Sequence, residues 1–121
     1  MNGIAHPTPA QAAGGAAEEK AAEFLQARGL AIVTRNYRTK AGEIDLIARD
    51  GATLVFVEVR MRSGSSFGGA LASITPRKRR RIIMAARQYL MRLDRVPPCR
   101  FDVVAVDSGD CEWLRGAFDA S

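Results

Sequence analysis

The 121-residue chain is 47% hydrophobic and 26% charged, with 18 Lys and Arg against 13 Asp and Glu and a formal net charge of +5. Its length fits a single domain, and its composition is ordinary for a globular protein, which excludes collagen-like, coiled-coil and disordered classes. The longest apolar run is far too short to span a bilayer, so a transmembrane helix is excluded as well.

The beginning of the chain is rich in Ala, Gly, Pro and Thr, and we predict a flexible tail over 1–15 followed by a single domain over 16–121. The tail lacks the basic start and apolar stretch of a secretory signal. The two cysteines, Cys99 and Cys111, form no metal-binding or redox motif, which favours reduced thiols in a cytoplasmic protein. The only histidine of the sequence, His6, lies in the tail, so we expect no catalysis by histidine.

Hydrophobic periodicity and turn residues predict the secondary structure. Asp50-Gly51 is typical of a hairpin turn, and Thr75-Pro76 is typical of a helix start with Thr as the cap. The predicted elements in chain order are a helix over 16–28, strands over 30–38, 43–49 and 53–62, a short turn or helix over 70–74, a helix from 75 to about 93, and strands over 100–106 and 112–118. We expect the third strand at the centre of the sheet and the last at an edge. This pattern favours an α/β fold, a mixed β-sheet flanked by helices in the order α-β-β-β-α-β-β.

Positive charge is concentrated in the predicted long helix and the loop after it. Residues 76–100 hold nine basic residues and one acid, whereas the rest of the chain is slightly acidic. Ile82, Ala86 and Tyr89 form an apolar stripe on this helix, and the basic residues point the other way. Such a face is often only solvated, but consecutive cations at a helix start oppose the helix dipole, which favours a polyanionic partner. The candidate contacts to a nucleic-acid backbone are Arg62, Arg77, Lys78, Arg80, Arg81 and Arg87.

Two carboxylates occur inside the predicted strands. Asp45 and Glu58 are each flanked by apolar residues, and burying a carboxylate is costly unless it is paired or bound to a metal. Strict alternation would put Asp45 on the face of Ile47. It would put Glu58 on the face of Phe56 and Arg60. Because the hairpin makes the two strands neighbours, both carboxylates could point into one site.

This pair of carboxylates suits a hard cation, since Mg²⁺ takes one or two protein carboxylates together with waters and phosphate oxygens. Such a metal can polarise a phosphodiester and activate water, and Arg60 could stabilise the developing negative charge. Glu18, at the edge of the apolar face of the first helix, could supply a third acid or could simply be an acid that the helix dipole favours. The alternative is that Asp45 and Glu58 pair structurally with arginines of the predicted strands.

Two adjacent motifs resemble a known family. They are GEIDLIARDG, over Gly42–Gly51, and LVFVEVRMR, over Leu54–Arg62, and together they closely resemble the YraN-like family of small, largely uncharacterised bacterial proteins. The resemblance covers about residues 14–118 and includes Asn36-Tyr37-Arg38 and Arg100-Phe101-Asp102. It implies a restriction-endonuclease-like fold similar to that of Holliday-junction resolvases.

The nuclease superfamily with this fold uses an acid on the first helix, an Asp, and a Glu-x-Lys motif. Matched position by position, the resemblance implies Glu18, Asp45 and Glu58 as ligands of Mg²⁺ or Mn²⁺, with Arg60 at the place of the lysine. That lysine orients or activates the attacking water in the superfamily. Because arginine stays charged, Arg60 cannot act as a base, although it can contact the scissile phosphate. The replacement of that lysine by Arg60 therefore affects the expectation of cleavage and does not affect that of phosphate recognition.

The resulting hypothesis is a Mg²⁺-dependent, structure-selective endonuclease that acts on branched or single-stranded DNA, with Asp45, Glu58 and Arg60 as catalytic residues. Two alternatives remain: a nucleic-acid-binding module without catalysis, and a protein-interaction domain in DNA processing. The first two readings predict DNA binding that weakens steeply with salt, and only the first predicts cleavage. We expect no membrane partner. The sequence leaves the oligomeric state open, a homodimer being one arrangement that would suit a two-strand cut.

Overall fold

The structure, a computed structural model, describes residues 9–61, 67–108 and 110–120, which form three helices and five strands. The helices are α1 (Pro9–Ala27), α2 (Phe67–Ala72) and α3 (Pro76–Leu90). The strands are β1 (Ala31–Arg38), β2 (Glu43–Asp50), β3 (Thr53–Met61), β4 (Cys99–Val106) and β5 (Cys111–Phe118). The predicted order of elements is confirmed, with the short segment before α3 forming α2. None of the described helices is long and apolar enough to cross a membrane.

The five strands form one mixed sheet in the order β1-β2-β3-β4-β5. β1, β2 and β3 form an antiparallel meander, β3 and β4 are parallel, and β5 returns antiparallel to β4. The parallel pair requires a crossover, which α2 and α3 provide. The predictions that the third strand is central and the last lies at an edge are both confirmed.

Both long helices differ from their predicted bounds. α1 begins at Pro9 rather than at residue 16, because the Ala-rich segment ahead of residue 16 favours helix. The first eight residues of the tail predicted over 1–15 lie outside the described residues. α3 ends at Leu90, earlier than predicted, and the N–H of Met91 closes it by donating to the Arg87 carbonyl.

The sheet is covered on both faces, and each face has its own hydrophobic core. On one face α1 buries small side chains, which let the helix approach the sheet closely; on the other face α3 buries the apolar stripe that the sequence predicts. The first core contains Ala17, Ala21, Leu25, Leu46, Val57 and Val104. The second contains Ile44, Ile47, Phe56, Ile82, Ala86 and Phe101.

Asp102 on β4 is fully buried, and its neighbours satisfy its carboxylate. Oδ1 accepts hydrogen bonds from Arg100 Nε at 3.0 Å and from Gly116 N at 2.9 Å, and Oδ2 accepts one from Trp113 Nε1 at 2.8 Å. A buried carboxylate is tolerated when it is paired and hydrogen-bonded in this way. Asp102 is therefore a structural residue that fastens β5 to β4, separate from the candidate site.

Candidate functional site

A cleft opens where β2 leaves β3. The ladder between these strands ends at the pair Leu46 and Val57, whereas β2 stays paired with β1 as far as Glu43. Asp45 and Glu58 come next along the two strands, one on each side of the opening. The hairpin thus brings the two predicted carboxylates together at the point where the sheet splits.

Asp45 lies at a break in the side-chain alternation of β2. Ile44 and Ile47 both pack in the core beneath α3, whereas Leu46 packs in the core beneath α1. The strict alternation assumed from the sequence therefore does not hold along this strand. The Asp45 carboxylate turns toward β3, where its Oδ2 accepts a hydrogen bond from Val59 N at 2.8 Å.

Glu58 is buried with only 3% of its surface exposed, yet two cations approach it. Its Oε2 lies 3.5 Å from Arg60 Nη1 and 3.7 Å from Lys78 Nζ. Burial, followed by the charge of Asp45, raises the pKa of Glu58 to about 8, although Lys78 and Arg60 act in the opposite direction. Burial and the charge of Asp45 therefore outweigh the two neighbouring cations in setting the pKa of this carboxyl.

Glu18 on α1 lies beside Asp45 and is half-buried. Its pKa is raised by burial and then by the Asp45 charge, while a hydrogen bond from Asn36 lowers it. Asn36 has φ of 51°, a left-handed conformation that asparagine tolerates better than most residues. Asn36 was not among the predicted site residues, although it belongs to the Asn36-Tyr37-Arg38 motif of the family resemblance and is an asparagine inside a predicted strand.

Two cations reach the cleft, Arg60 from β3 and Lys78 from α3. Arg60 Nε donates to Ser73 Oγ at 3.1 Å, which ties its guanidinium to the segment between α2 and α3. Lys78 stands in the first turn of α3, where its N–H donates to the cap Thr75 Oγ1 at 3.1 Å. Lys78 was predicted to contact a nucleic-acid backbone, but its ammonium lies beside Glu58. These side chains line a cavity of about 340 Å³, here called the acidic cleft, whose walls are Ala17, Glu18, Asp45, Glu58, Val59, Arg60, Met61 and Lys78.

The acidic cleft holds its carboxylates as two neighbouring pairs. Asp45 interacts with Glu18 on one side and with Glu58 on the other. Among the described residues, no group of three or more acidic, histidine or cysteine side chains is close enough to hold a metal ion as it stands. Since Mg²⁺ needs only one or two protein carboxylates, the pair formed by Asp45 and Glu58 is chemically sufficient as a donor set.

The basic residues predicted to contact nucleic acid do not form one patch. Arg62 lies outside the described residues. Arg80 lines a separate cavity beside Phe118 on β5, and Arg87 Nη2 donates to the Ala120 carbonyl at 3.4 Å. These two arginines are therefore next to β5 and not at the acidic cleft.

The remaining basic residues of this set lie at the start of α3. Arg77 is exposed. Arg81 Nε donates to the Ala41 carbonyl at 3.3 Å, in the turn between β1 and β2. Lys78 and Arg81 also line one further cavity, so the part of the basic helix nearest the acidic cleft faces this turn.

Comparison with known proteins places this site inside a recognised family. The sequence profile of the uncharacterised protein family UPF0102 matches residues 17–106, which include every residue that lines the acidic cleft. A UPF0102 protein of Cupriavidus taiwanensis is 62% identical over 112 residues, covering 91% of this chain and 85% of the relative. A UPF0102 protein of Ralstonia pickettii is 58% identical over 118 residues, covering 93% of this chain and 94% of the relative. The resemblance to YraN-like proteins is thereby confirmed, and the chain belongs to the UPF0102 family.

Proposed function

We propose that this protein is a divalent-metal-dependent DNA endonuclease whose acidic cleft binds the scissile phosphodiester of branched or single-stranded DNA. One observation carries the proposal: Asp45 and Glu58 face each other where β2 leaves β3, and both Arg60 and Lys78 approach Glu58. Paired carboxylates beside fixed cations are the groups that metal-assisted phosphodiester cleavage requires. The mixed sheet and the spacing of Asp45, Glu58 and Arg60 support the resemblance to restriction endonucleases.

In this proposal Asp45 and Glu58 would hold Mg²⁺ or Mn²⁺, and Glu18 on α1 would join them only if it moved closer than its present place beside Asp45. The donor set fits a hard cation because it is made of carboxylate oxygens that repel one another. The raised pKa of Glu58 is the sign of that repulsion and of burial in the metal-free protein. A metal held by these residues would supply polarisation of the phosphodiester and activation of a water molecule.

Arg60 and Lys78 have different tasks in the cleft. Arg60 stays charged and is anchored to Ser73, so it serves as a fixed cation for the negative charge that develops on the phosphate. Lys78 carries its ammonium on a flexible stem and can turn from Glu58 to a phosphate oxygen. Arg60 occupies the position of the motif lysine, and Lys78 from α3 brings a lysine to the same cleft.

A DNA-binding module without cleavage is the second candidate, and one observation favours it. Glu58 already has both Arg60 and Lys78 as ion-pair partners. If these pairs persist when DNA binds, the carboxylates are structural and the cations alone recognise phosphate.

A cleavage assay on the full chain tests the proposal. Wild type would be incubated with single-stranded, duplex and four-way-junction DNA in Mg²⁺, in Mn²⁺ and in EDTA. We expect metal-dependent cleavage that falls at least about 100-fold in Glu58→Gln, which removes a metal-binding carboxylate, and in Lys78→Met, which removes a cation from the reacting centre. Glu23→Gln, on the exposed side of α1, is the matched control and should cleave like wild type.

The outcomes separate the candidates. Cleavage that disappears in EDTA and in Glu58→Gln supports the nuclease. If Arg60→Lys cleaves DNA and wild type does not, wild type is a DNA-binding protein whose site lacks the lysine that cleavage requires. If no variant cuts any substrate while salt-sensitive binding persists, the nuclease is wrong and the binding module stands.

A further inference from the structure

A second cavity adjoins the acidic cleft and has the opposite charge. It measures about 310 Å³ and lies between the turn that joins β1 and β2 and the start of α3. We call it the turn pocket; its lining residues are Arg38, Thr39, Gly42, Glu43, Lys78 and Arg81. Three cations against one carboxylate make it a site for an anion.

The turn is held rigidly against α3. Thr39 Oγ1 accepts hydrogen bonds from Ala41 N at 3.0 Å and from Gly42 N at 3.1 Å, and Thr39 N donates to the Gly42 carbonyl at 2.8 Å. A Cβ at Gly42 would lie 2.5 Å from the Arg81 carbonyl oxygen, so the two backbones are in direct contact. The pocket is therefore built into the fold and does not depend on the position of a loose loop.

Both guanidinium groups are oriented by a single bond. Arg38 Nε donates to Glu43 Oε2 at 3.1 Å, and Arg81 Nε donates to the Ala41 carbonyl at 3.3 Å. A guanidinium carries five N–H donors in a planar fork, so each of these bonds uses one donor and leaves the others for a ligand. Planar forks of this kind match phosphate oxygens, which accept two parallel hydrogen bonds.

Lys78 joins the two cavities, because it lines both the acidic cleft and the turn pocket. A phosphate in the acidic cleft would therefore have Lys78 at its side and the two guanidinium groups beyond it. A lone phosphate fills one of these places, whereas a nucleic-acid strand offers phosphates at regular intervals and can fill both.

We propose that the turn pocket, formed by Arg38 and Arg81 with Lys78 at its entrance, binds the phosphate adjacent to the one in the acidic cleft. This inference rests on the proposed function and deepens it, since it gives the path of the strand: across Lys78 and toward the turn between β1 and β2. The contacts are to phosphate and carry no sequence preference. The substrate is accordingly a polynucleotide strand and not a mononucleotide.

Binding measurements in EDTA test the turn pocket without cleavage. The probe is a fluorescein-labelled single-stranded DNA oligonucleotide, titrated with the full chain at several salt concentrations. We expect the double variant Arg38→Ala/Arg81→Ala to bind at least about tenfold more weakly, and the slope of log K against log salt to fall by about 0.7, the value for one lost phosphate contact on a single strand. Arg49→Ala, which removes an exposed arginine at the other end of β2, is the control outside the pocket and should change the slope little.

A variant of the opposite sign completes the test. Glu43→Gln removes the one carboxylate of the pocket while the arginines remain, so it should tighten binding. The proposal is overturned if the double variant binds no more weakly than Arg49→Ala, or if wild type does not bind the probe. Wild type that binds with the expected losses but never cleaves would overturn the nuclease and leave the turn pocket standing. If wild type cleaves DNA but the double variant binds the probe as tightly as wild type, the turn pocket is overturned and the nuclease stands.

Discussion

At the scale of single residues, Glu58 is an ionisable side chain that the fold buries. Only 3% of it is exposed, and its pKa is raised to about 8 by burial and by Asp45, against the opposing influence of Lys78 and Arg60. In the unfolded chain the same carboxyl titrates near the ordinary value of 4.5. Between these two values the folded protein holds a proton that the unfolded chain has released.

This difference predicts how stability depends on pH. Because the folded state binds more protons in this window, we expect the free energy of unfolding of the metal-free protein to fall as pH rises from about 5 to about 8. The stabilisation that comes from the raised pKa of Glu58 is complete below the pKa of the unfolded chain and is lost above the pKa of the folded protein. One pKa unit corresponds to about 1.4 kcal/mol, so the loss amounts to a few kcal/mol at most. Urea denaturation in EDTA at a series of pH values measures it.

Two Glu-to-Gln variants separate Glu58 from the other titrating groups. Glu58→Gln has no proton to lose and should show a flatter dependence of unfolding free energy on pH. Glu23→Gln, with the same change on an exposed side of α1, should keep the wild-type slope. A Glu58→Gln variant that loses stability with pH as steeply as wild type would show that burial does not raise this pKa.

At the scale of elements, the contact between the β1–β2 turn and α3 depends on the absence of a side chain at Gly42. Its φ is outside the left-handed region, so the requirement is steric and not conformational. The atom that a Cβ would meet, at 2.5 Å, is the Arg81 carbonyl oxygen. A backbone oxygen cannot rotate away as a side chain can. The turn or the helix must therefore shift to accommodate any larger residue.

We expect Gly42→Ala to destabilise the protein by about 1–3 kcal/mol, the usual cost of overpacking. The same shift should open the turn pocket and weaken binding of single-stranded DNA. Gly15→Ala on α1 is the control, because its Cβ meets nothing within 4 Å and alanine favours helix. Urea denaturation of both variants makes the comparison. Equal stability of Gly42→Ala and wild type would mean that the turn does not contact α3 as described.

The order of elements could be predicted from the sequence because each depends on local pattern. Thr75-Pro76 starts α3 as predicted, and Asp50-Gly51 makes the hairpin. The alternation of β2 could not be predicted, because it depends on pairing with a neighbour. β1 has a register shift between Ile32 and Thr34 and a left-handed residue at Asn36. Both irregularities lie in β1, so they cannot be predicted from the residues of β2.

The candidate site was predictable to the extent that local connections form it. Asp45 and Glu58 belong to one hairpin, so their proximity follows from the turn. Lys78 belongs to a helix that reaches the sheet only after the crossover. Helical periodicity predicts which face of α3 is exposed, but where that face lies relative to Glu58 is set by packing of the whole domain.

At the scale of the whole molecule, the acidic cleft is assembled from both layers that cover the sheet. Glu18 comes from α1 on one face, Lys78 comes from α3 on the other, and Asp45 and Glu58 come from the strands between them. These residues are up to 60 positions apart in the sequence. They are brought together only when both hydrophobic cores have formed. Any ligand of the cleft therefore binds the folded chain and not the unfolded one.

This coupling predicts that Mg²⁺ or Mn²⁺ stabilises the protein against heat. A ligand that binds only the folded state adds about 2.7 kcal/mol at a concentration of 100 times its Kd, so Tm should rise with metal concentration. Asp45→Asn and Glu58→Gln should abolish most of the rise, whereas Glu23→Gln should keep it. NaCl at matched ionic strength controls for screening of the net charge of +5. If all variants respond alike, the ions act on the general charge and not in the cleft; Asp45 and Glu58 would then be structural partners of Lys78 and Arg60, and the nucleic-acid-binding module would be the better account of this protein.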